Sequence, residues 1–548
     1  MGCLWQLKAS GGTIREACIV AGAAPLAKRL SSSHDAVAPP FLRTRSSYSV
    51  ASVVSSGIPY SMNQTTIPRD LIAQLIRDVK RRGVDYADVR FERLLHESLV
   101  VEQSQAKSIS LSESAGIGIR VLLHGSWGFA STPHLSLANL KRAAAQALEI
   151  AKASASINKK SVRLTPLEPV RAVHRSPWQI DPFDVPLTKK LDYLLWATTT
   201  LLGPKAIRRA EGHMDFYKRT KFFASTEGAQ LEQHLIESAT GLEVVAQQGN
   251  EVQTRSYPNS HAGALAQGGF EYVKQLDLVG GAETIRQEAL QLLRAKPPKS
   301  GLTTLILHPT QVVMQLHESC GHPVELDRAL GQELSYAGGS FLTPDRLGTF
   351  RYGSDPVTIV ADATVPGGVG SFGYDDEGVP ARRVELVRQG MFVGYLSSRE
   401  SAAKLDLPAS GGAMRAEHYD VPPLVRMTNV NLEPGEATLD ELLRDVKRGY
   451  LLSTNKSWSI DDRRLNFQFT TEIGWEIVNG ALGAIVKNPL YTGITPQFWQ
   501  RCTGLTDRST WQLWGVPNCA KGEPMQLMHV GHGAPYAKFD GVSVAPAR

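Results

Sequence analysis

Cysteine is scarce. Five thiols (Cys3, Cys18, Cys320, Cys502 and Cys519) are scattered over 548 residues, an odd number at no framework spacing. That excludes a disulfide-stapled scaffold and points to a reducing compartment. No uninterrupted apolar run approaches the roughly 18 residues that cross a bilayer, so no membrane association is expected. Charge of one sign is lacking too. The formal surplus is +6, and residues 1–61 hold six basic side chains against two acids, which leaves the remainder close to neutral. With no basic stripe interleaved with aromatics, nucleic acid is not an expected partner. There is no Walker-type GK[ST] and no nucleophile elbow. Gly368–Gly373 matches GxGxxG, but Asp375–Pro380 follows instead of a helix, so no nucleotide site is expected there.

The remaining composition is that of an ordinary globular chain, with 42% apolar and 20% charged residues, which rules out collagen-like, coiled-coil and wholly disordered readings. Residues 1–61 are rich in Ser, Ala, Arg and Pro without sustained periodicity and read as a disordered or targeting extension. The expected location is cytoplasmic, or organellar or exported if that extension is a targeting segment. Beyond it, Leu71, Ile72, Leu75, Ile76 and Val79 follow Pro68 at helical spacing. Gly116 to Ala130 reads as two β segments joined at His124-Gly125. Leu135–Ala153, Leu187–Leu202 and Ala282–Ala295 have helical periods, and Glu227–Ala264 alternates like antiparallel strands. The polar, breaker-rich segment 296–301 (KPPKSG) reads as a linker. Short apolar β segments then recur: Val357–Ala361, Arg383–Gln389, Val425–Val430, Gly449–Ser453, Phe467–Thr471 and Gly483–Val486. The expected architecture is α+β: a mixed helix and antiparallel-sheet domain over 62–295, and a strand-rich sandwich-like or barrel-like domain over 302–548 carrying one prominent helix near its start.

That helix holds the chemistry. Pro309 opens it after the apolar segment Thr303–Leu307, and it leads into LHESCGHPVELD, which contains His317, Glu318 and, after three further residues, His322. On a regular helix, positions four apart diverge by about 40° and positions five apart by about 140°. Two imidazoles at the wider spacing cannot share one metal on an unbroken helix. Gly321, which relaxes the backbone, and Pro323, which pushes His322 out of helical geometry, suggest the remedy: a helix end or a π-type widening at Cys320 to His322 that swings His322 back beside His317. Two imidazoles, a third protein ligand and an open water position suit Zn²⁺, which lowers the pKa of its water towards neutrality, and Glu318 would take the proton of that metal-activated water. Glu325, Asp327, His529 and His532 are rival third ligands. Glu325 and Asp327 are also placed to orient an imidazole or bind a substrate amine, and His529 and His532 to line a cleft or serve the core. Cys320 reads as a small core residue. Asp375, Asp376 and Glu377 read as a structural turn, and Trp511 and Trp514 as core or interface.

The segment resembles the metal-site motif of the TldD subfamily of TldD/PmbA metallopeptidases. The likeness continues in order through GIGIRVLLHGSWGFAST, FGYDDEGVPARRVELVRQGMFVGYLSSRESA, LVRMTNVNLEPGEATLDELL, NCAKGEP and VGHGAPYAKF. The resemblance implies a two-domain zinc peptidase whose ligands match His317, His322 and Cys519, with Glu318 at the place of the catalytic glutamate. It also implies a homodimer, or a heterodimer with a PmbA-like subunit, around a cavity that admits unfolded or short peptides. The alternative is a non-catalytic, metal-containing binding or maturation subunit of such a complex.

Overall fold

A computed structural model describes residues 66–158, 160–260, 263–336 and 338–547; the extension expected at 1–61 lies outside them. Ile72, Leu75 and Val79 are the buried stripe of the first helix, Arg69–Lys80. His124 and Gly125 take positive φ (51° and 70°), the two-residue turn expected of a tight hairpin. It folds the strand Gln105–Leu123 onto Ser126–Thr132. The first of these strands begins eleven residues before Gly116, on an exposed polar stretch that carries little apolar signal.

These strands belong to one eight-stranded sheet. Its order is Ser126–Thr132, Gln105–Leu123, Tyr86–Glu102, Ile207–Ser225, Gln230–Gln248 and Arg171–Arg175, with Glu251–Tyr257 and Ala264–Gln267 also paired to Gln230–Gln248. Helices Leu137–Ile157, Leu187–Leu201 and Leu278–Leu292 contribute to the two apolar clusters packed on it. The long strand Ile207–Ser225 is not evident from sequence because charged side chains interrupt its alternation. Those charges are matched across the sheet and its cover: Arg209 with Glu243, Arg219 with Glu92, and Lys221 with Asp376.

The second half is built on a closed ring of five strands, Gly301–Leu307, Arg448–Ile460, Asn466–Val478, Pro489–Ile494 and Ala537–Pro546. The chain is therefore a strand-rich α+β protein with a barrel at its C-terminal end. The segment 296–301 is tied to this barrel: the Lys487 N–H donates to the Lys296 carbonyl at 3.1 Å and the Lys299 N–H to Tyr450 Oη at 2.9 Å. The expected strand Val425–Val430 is two strands, Leu424–Val425 and Val430–Leu432, in different sheets. The break falls at residues 426–428, just before Asn429, whose side chain donates to Asp362 O at 2.7 Å and accepts from the Gly370 N–H at 3.0 Å. Among the described residues no helix is long and apolar enough to cross a membrane.

The helix Pro309–Leu316 is buried on every face, not on one stripe. Buried polar groups on it require partners, and the barrel supplies them: Gln311 donates to Tyr491 Oη at 2.9 Å, and Tyr491 donates to Gln315 Oε1 at 3.0 Å. One turn on, Trp499 Nε1 donates to Ser319 Oγ at 2.9 Å and Tyr352 Oη to Ser319 O at 2.9 Å. Trp499 is fully buried. Its removal leaves a large cavity and strips Ser319 of a donor, so Trp499→Ala should lower the unfolding free energy by about 3–5 kcal/mol. Denaturant titration checks this, and a loss below about 1 kcal/mol would show that the indole is not what anchors the helix end.

Candidate metal centre

The residues His317–Gly321 form a π turn, closed by the His322 N–H donating to the His317 carbonyl at 3.2 Å. This i+5 bond is the widening that the five-residue spacing requires. It brings the two imidazoles to 4.8 Å between ring centres, nearly perpendicular. The turn begins three residues earlier than the sequence suggests. Two details of the expectation also change. His322 keeps helical backbone angles (φ −66°, ψ −43°), so Pro323 ends the helix without displacing it. Gly321 is needed for space rather than backbone freedom: a Cβ there would lie 2.3 Å from Met427 Sδ.

Cys519 arrives from far along the chain. It lies on a strand, Gln512–Lys521. That strand pairs with Gln526–Ala534, but the register shifts between Val516 and Cys519: Val516 faces Val530 and Cys519 faces Met528. Three steps on one strand thus oppose two on the other, a β-bulge at Pro517-Asn518. In a regular strand, residues three apart point to opposite faces; the extra residue turns Cys519 to the same side as Val516. Pro517, which has no N–H to offer a ladder, is well placed at such an irregularity. The result is a cluster of His317, His322 and Cys519 whose ligand atoms all lie within 4.8 Å of one another, with Cys519 Sγ 3.7 Å from His322 Nε2. All three are buried.

Hydrogen bonds behind the cluster decide which ring nitrogens face it. His532 Nδ1 donates to the Val430 carbonyl at 3.0 Å, an oxygen that can only accept. Its Nε2 then offers a lone pair, and His317 Nδ1 donates to it at 2.9 Å. His317 is left with a free lone pair on Nε2. His532 is fully buried, and burial pulls its pKa well below the ordinary value. His322 Nδ1 donates in the same way to Glu325 Oε2 at 3.1 Å, which leaves its Nε2 lone pair for the cluster. Glu325 is itself buried beside Arg328 and Lys521, at 3.4 and 3.5 Å. Lys521 also binds Asp327 at 2.7 Å. Burial alone would push the Cys519 thiol up, but the imidazoles of His317 and His322 and the guanidinium of Arg426 hold it well below its ordinary range. A thiolate and two oriented imidazoles form a donor set suited to a soft-to-borderline tetrahedral ion such as Zn²⁺.

Glu318 follows His317 on the π turn and is 5% exposed. Its Oε1 accepts from Trp458 Nε1 at 2.8 Å and its Oε2 from Arg464 Nη1 at 2.5 Å. Neither partner is adjacent to the motif in sequence, and nothing in their spacing marks them. The other named residues separate clearly. His529 points away from the cluster, paired with Glu237 Oε2 at 2.6 Å, on the wall of a cavity of about 410 Å³ between the hairpin and the eight-stranded sheet. Asp375 and Asp376 are spent on structure. Asp375 accepts the N–H groups of Glu377, Val379 and Met414, and Asp376 accepts Lys221 and the Ala416 N–H. Glu377 accepts the Arg399 N–H. Cys320 is a buried thiol pushed up to about 12 by burial. Trp511 donates to the Leu432 carbonyl at 3.0 Å.

Because His532 selects the tautomer of a ligand, His532→Ala should weaken zinc binding by about 10- to 100-fold without removing a ligand. Competition with a chromophoric chelator measures this; unchanged affinity would contradict the tautomer argument.

Family models match over most of the same ground: "PmbA/TldA metallopeptidase C-terminal domain" over residues 300–546 and "PmbA/TldA metallopeptidase domain 1" over 87–151. A metalloprotease of Synechocystis is 30% identical over 84% of this chain and 94% of its own. A zinc metalloprotease TldD homolog of Saccharolobus solfataricus is 23% identical over 77% of this chain and 88% of its own. In fold, the chain is similar to the crystal structure of TldE from Thermococcus kodakarensis, with a TM-score of 0.67 at 19% identity, covering 87% of this chain and all of that one. The family models together span more than half of the chain, and the chain belongs to the PmbA/TldD family of metallopeptidases.

Proposed function

We propose that this protein is a zinc-dependent peptidase that hydrolyses unfolded or short peptides, with Glu318 as general base. The observation that carries the reading is the placement of Glu318: one residue beyond a ligand, nearly buried, and fixed through both carboxylate oxygens by Trp458 and Arg464. A zinc ion held by His317 Nε2, His322 Nε2 and Cys519 Sγ would supply Lewis acidity towards water and the scissile carbonyl. Glu318 accepts a proton from the water as the water oxygen bonds to the carbonyl carbon and the carbonyl π pair moves onto its oxygen. When that pair returns, the C–N bond breaks and Glu318 delivers the proton to the departing nitrogen, leaving a carboxylic acid and an amine. Each carboxylate oxygen keeps a second lone pair beyond the one engaged by its partner, so anchoring does not consume the base.

Family resemblance supports a paired assembly, as a homodimer or with a PmbA-like subunit. Free buried thiols at Cys320, Cys502 and Cys519 support a reducing, cytoplasmic setting. The test uses an unstructured peptide. Glu318→Gln preserves size and should keep zinc while lowering kcat by roughly 10²- to 10⁴-fold. Equal rates for the two proteins would contradict the role of Glu318, and stoichiometric zinc with no turnover by the wild type would favour the non-catalytic subunit.

A further inference from the structure

Trp458 touches Glu318, yet 39% of its surface is exposed. Its place in the sheet does not account for that. Trp458 stands directly opposite Phe469 in the ladder between Arg448–Ile460 and Asn466–Val478, and residues directly opposed share a face. Phe469 is fully buried and stacks on Tyr491, whose hydroxyl joins the two glutamines of the helix Pro309–Leu316. Trp458 is therefore on the side of the strand that faces this helix. At its level, however, the helix has given way to the π turn, and there the indole meets Glu318, with Nε1 donating to Oε1 at 2.8 Å. The strand Gly301–Leu307 pairs with Arg448–Ile460 only as far as Leu452. A large aromatic side chain is thus left partly open at the mouth of the site.

Distance limits what that open surface can meet. A general base works within about 2.6–3.2 Å of the group whose proton it takes, and Trp458 Nε1 lies 2.8 Å from the same carboxylate. Water and indole are then neighbours on one side chain, no more than roughly 6 Å apart. The water oxygen bonds to the scissile carbonyl carbon, so the side chains of the two residues flanking that bond begin beside the indole. Apolar surface left in water gains from being covered, and an indole prefers another ring, offset or edge-on. A charged side chain is less suited, because Glu318 and Arg464 already answer each other. Ile460, two residues on and partly buried, continues the apolar wall on the same face.

We propose that Trp458 is a specificity-determining residue: its exposed indole surface receives a large apolar side chain, aromatic before aliphatic, from a residue flanking the scissile bond, while Nε1 holds Glu318. The proposal rests on the peptidase reading above and adds the class of peptide that the site selects. The two tasks of this side chain are separable. Phenylalanine keeps a ring and lacks the N–H, whereas alanine has neither.

The experiment uses the zinc-loaded full-length protein, wild type and with Trp458→Phe or Trp458→Ala. The probes are unstructured peptides of one sequence in which the residue on either side of the cleaved bond is in turn Phe, Leu, Gly or Asp, with the cut located by mass spectrometry. The wild type should favour Phe over Gly in kcat/KM by roughly 10-fold at one of the two positions, with Leu between them and Asp lowest. Trp458→Phe should lower kcat on every peptide but keep most of the preference. Trp458→Ala should shrink it to within about 2-fold. Peptide affinities from fluorescence anisotropy give the same ratio where turnover is too slow to compare. A preference undiminished in Trp458→Ala shows that the indole only positions Glu318 and overturns the proposal, and so does a wild type that cleaves all the peptides alike; both leave the peptidase reading standing. A zinc-loaded wild type that cleaves none of them would overturn the peptidase reading itself.

Discussion

The centre depends on one backbone event. Two histidines five positions apart are useless to a common ion on a regular helix, and a single i+5 hydrogen bond from His322 to His317 makes them neighbours. A π turn is a rare local geometry, so it needs to be enforced from outside. The enforcement is visible on each side of it: Trp499 and Tyr352 grip the two oxygens of Ser319, and Met427 packs where any Cβ at position 321 would have to sit. The preceding helix is enclosed on all faces, and Tyr491 bridges its two glutamines. The barrel thus works as a clamp on a strained turn, which explains why so large a framework carries so small a site.

The two imidazoles are not equivalent. A buried carboxylate backs His322, whereas a neutral imidazole that relays to a backbone carbonyl backs His317. A carboxylate raises the basicity of the ring it contacts more than a neutral acceptor does. Charge in this region is kept in matched sets because an isolated buried ion is expensive. Glu325 and Asp327 share Lys521, Glu325 also meets Arg328, and Cys519 faces Arg426. Among the described residues, the cation that meets Glu318 is Arg464.

Much of this is legible in the chain. Helical spacing locates the helices to within a few residues, and the conflict between a five-residue interval and a regular helix is enough to demand a widened turn. Glu325 and Asp327 both stand out just past His322, but the chain alone does not say whether either is a third ligand, an orienting acid or a surface carboxylate. Three things are not legible. The bulge that turns Cys519 inward depends on a cross-strand register that no local pattern encodes. His532 and His529 are separated by two residues, but one backs a ligand while the other faces the opposite sheet; only the parity of a paired strand tells them apart. Trp458 and Arg464 reach Glu318 from a hairpin about 140 residues away, and such a contact exists only once the barrel has closed.

Convergence of a distant sulfur onto two imidazoles is the claim on which the rest stands, and zinc K-edge X-ray absorption reads it without relying on turnover. The account predicts one sulfur scatterer at about 2.3 Å and two imidazole nitrogens at about 2.0–2.1 Å, with the sulfur shell lost in Cys519→Ser. A wild-type spectrum fitted by nitrogen and oxygen alone would contradict it.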